Sequence, residues 1–155
     1  MRVTYTLIAV AAVAILGSLS YCFYEYSAAR ENLKNIYVSI VSAVPRGVGQ
    51  DSITLKLGIR LYNNGSSTAS VDRIVYELYI SDTKLGSGSY NAHVEIPDKG
   101  VATLDTDFMI SRSAFGEIFY KIVSGSGFSI KLKIYMYRNT ILGTVEEIRE
   151  TSFKI

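Results

Sequence analysis

Residues 61–80, LYNNGSSTASVDRIVYELYI, decide the fold because they hold two strand patterns separated by a polar corner. Apolar and polar side chains alternate along residues 53–62 before the corner and along residues 74–80 after it. Alternation with a period of two predicts strands that bury one face and expose the other. The corner, residues 63–67, is rich in asparagine, glycine and serine, which tolerate left-handed backbone angles, so turn geometry explains its polarity.

Strand patterns continue on both sides of this unit. A first strand is predicted from Ile36 to about Pro45, because proline cannot donate a hydrogen bond to a sheet. The glycine- and serine-rich residues 83–88 are predicted as a turn-rich link. The other predicted strands are residues 93–110, as two strands about a turn at 97–100, residues 128–137, and residues 143–155 with a bulge or an exposed edge.

One short helix is predicted between two of these strands. Ser111 or Ser113 can cap its beginning, and Gly125 ends it. Its apolar side chains recur at helical spacing and are Ala114, Phe115, Ile118, Phe119 and Ile122. About seven short antiparallel strands with turns at regular spacing predict an all-β fold, a β-sandwich with this helix closing one end.

The amino-terminal segment carries no charged residue from Val3 to Tyr24. At about 1.5 Å per helical residue, such a segment can cross a hydrocarbon core of about 30 Å. Aromatic side chains gather at its far end, where amphipathic rings favour the headgroup layer. We therefore predict a transmembrane helix as an anchor over residues 1–26, a helical stalk over residues 27–35 and one folded domain over residues 36–155.

A cleaved secretory signal is the alternative for this segment, since Arg2 precedes an apolar run. The run is longer than the core of a usual signal, and bulky residues 21–26 stand where a peptidase requires small ones, which favours the uncleaved anchor. A lipidated Cys22 is a further alternative. An uncleaved anchor before a long domain predicts a single-pass membrane protein whose carboxy-terminal domain is extracytoplasmic. Asn64 begins an Asn-Gly-Ser triplet and is a candidate glycosylation site, which agrees with that side.

The composition excludes several classes of protein. The 155 residues are 48% hydrophobic and 19% charged, too apolar for a disordered chain. The net charge of +2 is spread along the chain, so we expect no nucleic-acid partner. Cys22 is the only cysteine, which excludes an internal disulfide and a multi-cysteine metal site. The glycine clusters at residues 86–88 and 125–127 are predicted to be turns, because neither precedes the helix that a phosphate cradle requires.

No catalytic, cofactor or metal site is predicted. His93 is the only histidine, and its position beside a strand indicates an exposed or hydrogen-bonded side chain rather than a general base. Asp105 and Asp107 share one strand face, with Asp98 nearby in sequence. Calcium sites need a denser set of oxygen ligands, so a solvated acidic face is expected.

Twelve tyrosines and no tryptophan distinguish the chain. Tyr62, Tyr79, Tyr135 and Tyr137, named here the tyrosine set, alternate with predicted core positions and are expected on an outer face. An aromatic outer face can bind a protein or an envelope component, so these four residues form a candidate partner surface. The alternative is that cross-strand tyrosines only stabilise the sheet.

Four segments together resemble a known family. They are a strand that ends in Asn63, the stretch YELYISDTKLGSG at residues 76–88, IPDKG at residues 96–100 and LGTV at residues 142–145. In this order, residues 36–155 resemble the folded second group of late embryogenesis abundant proteins, also called the water-stress and hypersensitive-response domain. Where that family has Asn-Pro-Asn, this chain has Asn-Asn-Gly from Asn63. The resemblance implies a fibronectin type III or immunoglobulin-like sandwich with one helix, an association with desiccation and other stress, and no catalytic residues.

Two kinds of function follow from these predictions. The first is a membrane-anchored, non-enzymatic sandwich that acts through surface contacts, in stress protection or in envelope binding, with the lipid bilayer and a protein or envelope component as partners. The second is an archaeal pilin-like or other cell-surface filament subunit that assembles through its apolar helix. Pilin precursors carry a short basic leader, which residues 1–4 do not provide, so the first is favoured.

Overall fold

The computed structural model describes residues 2–48, 51–80, 82–111, 113–114, 116 and 129–154. In this part of the chain a long helix precedes nine strands. The helix is α1 (Arg2–Lys34), and the strands are β1 (Ile36–Val48), β2 (Ser52–Asn63), β3 (Ala69–Val71), β4 (Arg73–Ile80), β5 (Thr83–Tyr90), β6 (Val94–Ile96), β7 (Val101–Ser111), β8 (Ser129–Thr140) and β9 (Gly143–Lys154).

The strands form two larger antiparallel sheets and one small one. The strand orders are β1-β2-β7, β5-β4-β8-β9 and β3-β6. Buried side chains of both larger sheets join one continuous core, and burying each of them contributes about 1.5–3 kcal/mol. The largest buried side chains are Phe108, Leu33, Ile36, Ile59, Leu61, Ile74, Leu78, Ile96, Leu132, Ile134, Met136 and Val71. The prediction of an all-β sandwich is therefore confirmed.

The carboxy-terminal end of α1 packs on the sandwich, although the sequence predicts a polar stalk there. Leu33 and Ile36 are fully buried. Arg149 of β9 holds this end, because its Nε donates to the Ile36 carbonyl at 3.0 Å and its Nη2 donates to the Lys34 carbonyl. The guanidinium charge lies where the helix dipole is negative, which stabilises the junction further.

A buried asparagine closes the corner between β2 and β3. Asn63 has no exposed surface. Its Nδ2 donates to the carbonyl oxygens of Ser67, Ile96 and Pro97 at 2.8, 3.0 and 3.0 Å. Its Oδ1 accepts a hydrogen bond from the Gly65 backbone at 2.9 Å. This one side chain therefore ties the corner to the turn between β6 and β7.

The predicted end of the first strand is wrong. β1 passes through Pro45 and ends at Val48, with register shifts between Ile40 and Ser42 and between Pro45 and Gly47. β1 is an edge strand, so one of its sides pairs with no other described strand in this sheet. A residue without an amide hydrogen is tolerated at such an edge.

The prediction of a turn-rich link at residues 83–88 is also wrong, because these residues belong to strand β5. The glycines at residues 86–88 do not form a bend. Because they lack side chains, they leave space for side chains of the core. A Cβ at Gly86 would lie 3.0 Å from Cζ of Phe108, and one at Gly88 would overlap the ring of Tyr76. The short strand β3 (Ala69–Val71) was not predicted either.

Other predicted elements have mixed outcomes. The final strand is confirmed as β9. It lies at a sheet edge and pairs with β8 without a register shift, so of the two predicted alternatives the exposed edge is present and the bulge is not. Ser111 Oγ accepts a hydrogen bond from the Ala114 backbone at 3.4 Å, as a helix cap does. The remainder of the predicted helix lies mostly outside the described residues, as does the glycine cluster at residues 125–127.

The apolar part of α1 is exposed on all sides, since every residue from Val10 to Ser20 is exposed. Within the described part of the chain, no helix combines the length and the apolar character that crossing a bilayer requires. The predicted transmembrane helix at residues 1–26 therefore lacks structural support.

Candidate functional site

The tyrosine set is divided between the two larger sheets. Tyr79, Tyr135 and Tyr137 lie half-buried on the outer face of the β5-β4-β8-β9 sheet, whereas Tyr62 lies on β2 of the other sheet. The four residues therefore do not form one surface. Binding of a partner by Tyr62, Tyr79, Tyr135 and Tyr137 stays a prediction.

Glu77 accepts hydrogen bonds from two of these tyrosines. Tyr79 donates to its Oε2 at 2.9 Å, Tyr135 donates to the same oxygen at 3.0 Å, and Lys84 pairs with its Oε1. The hydrogen bond from Lys84, followed by that from Tyr79, lowers the pKa of Glu77 against the effect of burial. The bond to Glu77 raises the pKa of Tyr79, which keeps the phenol protonated. The hydroxyls of Tyr79 and Tyr135 therefore both form hydrogen bonds within the sheet.

Cation–π contacts stabilise the same face. The Arg73 guanidinium lies 4.3 Å from the ring centroid of Tyr137, and Lys133 Nζ lies 5.3 Å from that of Tyr135. Tyr137 also donates to Glu146 Oε1 at 3.2 Å. Arg73, Tyr137 and Glu146 stand opposite one another on three adjacent strands, so the tyrosines of this face stabilise the sheet.

Asp72, between β3 and β4, brings three donors together. It accepts hydrogen bonds from the Asn139 backbone at 2.7 Å and from Arg138 Nη1 at 3.0 Å, and His93 Nδ1 lies 2.6 Å from its Oδ1. Burial would raise the pKa of Asp72, but the hydrogen bonds from Asn139, His93 and Arg138 outweigh burial and lower it. The bond to Asp72, followed by that to Glu95, raises the pKa of His93. His93 is exposed and hydrogen-bonded, as predicted.

The two aspartates of the acidic strand face form ion pairs. Asp105 lies 2.7 Å from Lys56 Nζ and Asp107 lies 3.3 Å from Arg46 Nη1. All four side chains are well exposed, so each pair contributes about 0–1 kcal/mol. Among the residues that the structure describes, no group of three or more His, Cys, Asp or Glu side chains could hold a metal ion.

Asn64 lies in the exposed corner after β2. Its backbone oxygen accepts a hydrogen bond from Lys99 Nζ at 2.7 Å, and its Oδ1 accepts from the same nitrogen at 3.3 Å. An exposed loop is where an acceptor for glycosylation must lie, and this modification of Asn64 stays a prediction.

A cavity of about 180 Å³ lies between α1 and the sandwich, and sequence reasoning missed it. Residues of α1 at intervals of three or four form one wall, because such residues share a helix face. The helix contributes Tyr21, Tyr24, Glu25, Ala28, Ala29 and Asn32. The strands contribute Ser70 of β3 and Arg138 of β8. The available signal was Glu25, the first acidic residue after the apolar run.

Two residues of opposite charge line this cavity without pairing with each other. Glu25 Oε2 is buried and has no hydrogen-bond partner among the described residues. Arg138 pairs with Asp72, and no ion pair within 4.0 Å joins it to Glu25. A buried polar atom without a partner costs about 1–3 kcal/mol, so such atoms are rare in proteins. Among the described residues, the cavity therefore contains a buried polar atom that the fold does not satisfy.

Known proteins support the family resemblance. A family model described as late embryogenesis abundant protein matches residues 58–148, which is more than half of the chain. The chain belongs to the late embryogenesis abundant family. The matched residues of this family member run from the middle of β2 into β9 and include the Asn63 corner. No curated protein is matched by the chain.

Solved structures show the same fold for this late embryogenesis abundant protein. A protein from Arabidopsis thaliana is 14% identical with a TM-score of 0.61, covering 76% of this chain and 79% of its own. A solution structure described as a late embryogenesis abundant protein is 16% identical with a TM-score of 0.52, covering 93% and 83%. A protein from Archaeoglobus fulgidus is 16% identical with a TM-score of 0.51, covering 76% and 96%.

Proposed function

We propose that this late embryogenesis abundant protein is a non-enzymatic stress protein that acts by surface contacts and attaches to a bilayer through α1. Within its family we assign it to the water-stress and hypersensitive-response group, on the strand and turn order from Asn63 to Val145. The observation that carries the attachment is the exposed apolar part of α1. Its large exposed side chains are Val10, Val13, Ile15, Leu16, Leu19, Tyr21, Phe23 and Tyr24.

Apolar side chains on all sides of a helix require an apolar environment. On the sandwich, by contrast, the large outer face of β4 and β8 is covered by tyrosines, lysines and carboxylates that pair with one another. The apolar contact of the molecule is therefore concentrated in residues 10–24, and a bilayer is the environment that suits it. We further propose that the sandwich lies on the extracytoplasmic side, where an exposed Asn64 could be glycosylated.

Membrane attachment is tested by partition of the full chain between membrane and aqueous fractions of cells that express it. The variant Val13→Asp with Leu16→Asp should leave the membrane fraction, because a charge in hydrocarbon costs about 2.5–3.5 kcal/mol. The matched control is Met109→Asp with Ile141→Asp, since these sandwich side chains are similarly exposed. Equal partition of the two double variants would refute attachment through α1.

Two further measurements test the remaining parts of the proposal. Protease added to intact cells should remove a carboxy-terminal tag if the sandwich is extracytoplasmic, and a protected tag would refute that side. Vesicles dried and rehydrated with the protein should leak less dye than vesicles dried with the Val13→Asp, Leu16→Asp variant. Equal leakage would refute protection through attachment, and sheared surface fibres that contain the chain would favour a filament subunit.

A further inference from the structure

The cavity between α1 and the sandwich has the chemistry of a small binding site. Its volume of about 180 Å³ is below the range of about 300–1,000 Å³ that holds drug-sized ligands. A ligand that fits it is therefore small. The cavity does not belong to the outer tyrosine face, and it shares only Tyr21 and Tyr24 with the exposed apolar part of α1, so neither feature accounts for the charged residues of its lining.

One side of the cavity favours a cation. Glu25 has a buried oxygen, Oε2, to which no described residue donates a hydrogen bond. Tyr21 and Tyr24 line the same cavity. Tyr21 lies about one helical turn before Glu25 and Tyr24 directly precedes it, and both rings are largely exposed. Aromatic faces attract ammonium groups, and a carboxylate beside them supplies the opposite charge. Together these three side chains provide the recognition that a primary or quaternary ammonium group needs.

The opposite side favours an anion. Arg138 donates from Nη1 to Asp72, and its other guanidinium nitrogens donate to no residue in the described part of the chain. A guanidinium presents five N–H donors in a planar fork that matches phosphate oxygens. Ser70 of β3, a residue with a hydroxyl group, also lines the cavity. This side therefore resembles a phosphate subsite.

Glu25 and Arg138 both line the cavity without forming an ion pair, which favours a zwitterion over a simple ion. If Glu25 and Arg138 were within 4.0 Å they would neutralise each other, but they do not form an ion pair. A simple cation would leave the donors of Arg138 that Asp72 does not use facing the cavity, and a simple anion would leave the Glu25 carboxylate there without an opposite charge. We propose that this cavity binds a small zwitterion that carries an ammonium group and a phosphate group, such as phosphocholine or phosphoethanolamine. The ammonium group lies against Glu25 and the two tyrosine rings, and the phosphate lies against Arg138 and Ser70.

Such a group occurs as a free metabolite and as the headgroup of a phospholipid, and both share the chemistry that the cavity recognises. The site itself does not depend on attachment of α1 to a bilayer. Binding of the free compound therefore tests the cavity even if the proposed membrane attachment fails. Loss of attachment with binding intact would separate the two proposals.

The first experiment measures binding of phosphocholine to the full chain in a non-ionic detergent by calorimetry and by ³¹P NMR. Phosphocholine should bind at least about tenfold more tightly than choline chloride or inorganic phosphate, because each of these meets one side of the cavity only. Phosphoethanolamine in place of phosphocholine tests whether a primary ammonium is preferred. Absence of phosphocholine binding at about 10 mM, or equal binding of inorganic phosphate, would overturn the proposal.

Matched variants locate the binding. Glu25→Gln keeps the shape but removes the charge and should weaken phosphocholine binding at least about tenfold, while Glu31→Gln, an exposed acid on the same helix, should not. Tyr24→Leu should weaken binding and Phe23→Leu should not, since both rings are exposed but only Tyr24 lines the cavity. No variant should have a thermal unfolding midpoint below that of the unmodified chain. Unchanged binding in both Glu25→Gln and Tyr24→Leu would refute the site.

Sedimentation with vesicles distinguishes the two sources of the zwitterion. If a lipid headgroup is the ligand, Glu25→Gln should bind phosphatidylcholine vesicles more weakly than the unmodified chain, and free phosphocholine should compete. If the free compound is the ligand, Glu25→Gln should lose phosphocholine binding but sediment with phosphatidylcholine vesicles like the unmodified chain. Vesicles of phosphatidylglycerol, which lacks the ammonium group, should show no effect of the substitution, and an equal effect on both vesicle types would contradict recognition of a zwitterion.

Discussion

The corner at Asn63 and the cavity at Glu25 both contain buried polar atoms, but their hydrogen bonding is opposite. Asn63 has no exposed surface, and both ends of its amide are bonded to backbone groups of the corner and of the β6–β7 turn. Glu25 Oε2 has no donor among the described residues. The first arrangement stabilises the fold, because every polar group that it buries is paired.

The difference separates polar residues that hold the structure from those that are available for binding. Removing one partner of a paired, buried group leaves the others without partners, whereas removing an unpaired group leaves nothing behind. Substitutions at the corner and at the cavity should therefore change stability in opposite directions. Substitutions of Asn63 and Glu25 test this difference directly, and measurements on Gly88 and His93 extend it to packing and to pH.

Asn63→Ala should lower the free energy of unfolding by about 3 kcal/mol, since buried carbonyl and amide groups lose their partner. Denaturant titration of the full chain measures the change. The matched control is the neighbouring Asn64→Ala, which is exposed and should change stability by no more than about 0.5 kcal/mol. Equal losses in the two variants would show that the corner is not held by the buried amide.

Gly88→Ala should lower the free energy of unfolding by about 2 kcal/mol, because an added Cβ would overlap the ring of Tyr76 and overpack the core. This substitution extends the comparison to packing. The core beside Gly88 has no space for another carbon atom, whereas the cavity has a volume of about 180 Å³. Thermal unfolding measures the effect. Gly47→Ala, where an added Cβ meets nothing within 4 Å, is the control and should be close to neutral. A stable Gly88→Ala variant would mean that β5 can move away from β4.

Glu25→Met should raise the free energy of unfolding by about 1 kcal/mol when no ligand is added, because it removes an unpaired buried oxygen and keeps the side-chain length. Denaturant titration with the exposed Glu31→Met as control measures the gain. A loss of stability in Glu25→Met beyond that of the control would show that the carboxylate has a partner that supports the fold. The opposition between corner and cavity would then be wrong.

His93 lies between these two cases, because it is exposed but donates to the half-buried Asp72. The pKa of His93 is raised above its ordinary value of 6.5, first by Asp72 and then by Glu95. Its contribution to stability is therefore fully present below about pH 6.5 and is lost as the pH rises through the higher pKa of the folded state. The free energy of unfolding, measured from about pH 5.5 to about pH 8.5, should fall more steeply with rising pH for the unmodified chain than for His93→Gln. Parallel pH profiles would show that His93 does not strengthen the Asp72 network.

Local patterns predicted most of the strands correctly. Alternation predicted the buried faces of β4 and β8, and the asparagine and glycine residues predicted the corner after β2. The failures occurred where a residue serves a distant neighbour. Gly86 and Gly88 have the composition of a turn, but they lie in a strand because Phe108 and Tyr76 occupy the space beside them. Pro45 has the character of a strand end, but the edge position of β1 tolerates it.

The candidate site was less predictable than the fold. Alternation predicted the tyrosine set. Alternation identifies the face of a strand on which a residue lies, but not the sheet to which the strand belongs. Tyr62 was therefore grouped with residues of another sheet. Glu25 and Arg138 are separated by most of the chain, and no spacing rule connects them. The docking of α1 by Arg149 is a contact of the same kind.

The sequence by itself determined the strand faces, the family and the apolar character of residues 10–24, because each of these depends on neighbours along the chain. Only the tertiary structure decided that Asn63 is fully paired, that Glu25 has an oxygen without a donor, and that Arg138 stands opposite it. Those outcomes depend on which groups from distant segments meet at one point, and hydrogen bonds and ion pairs form or fail over distances of a few ångströms.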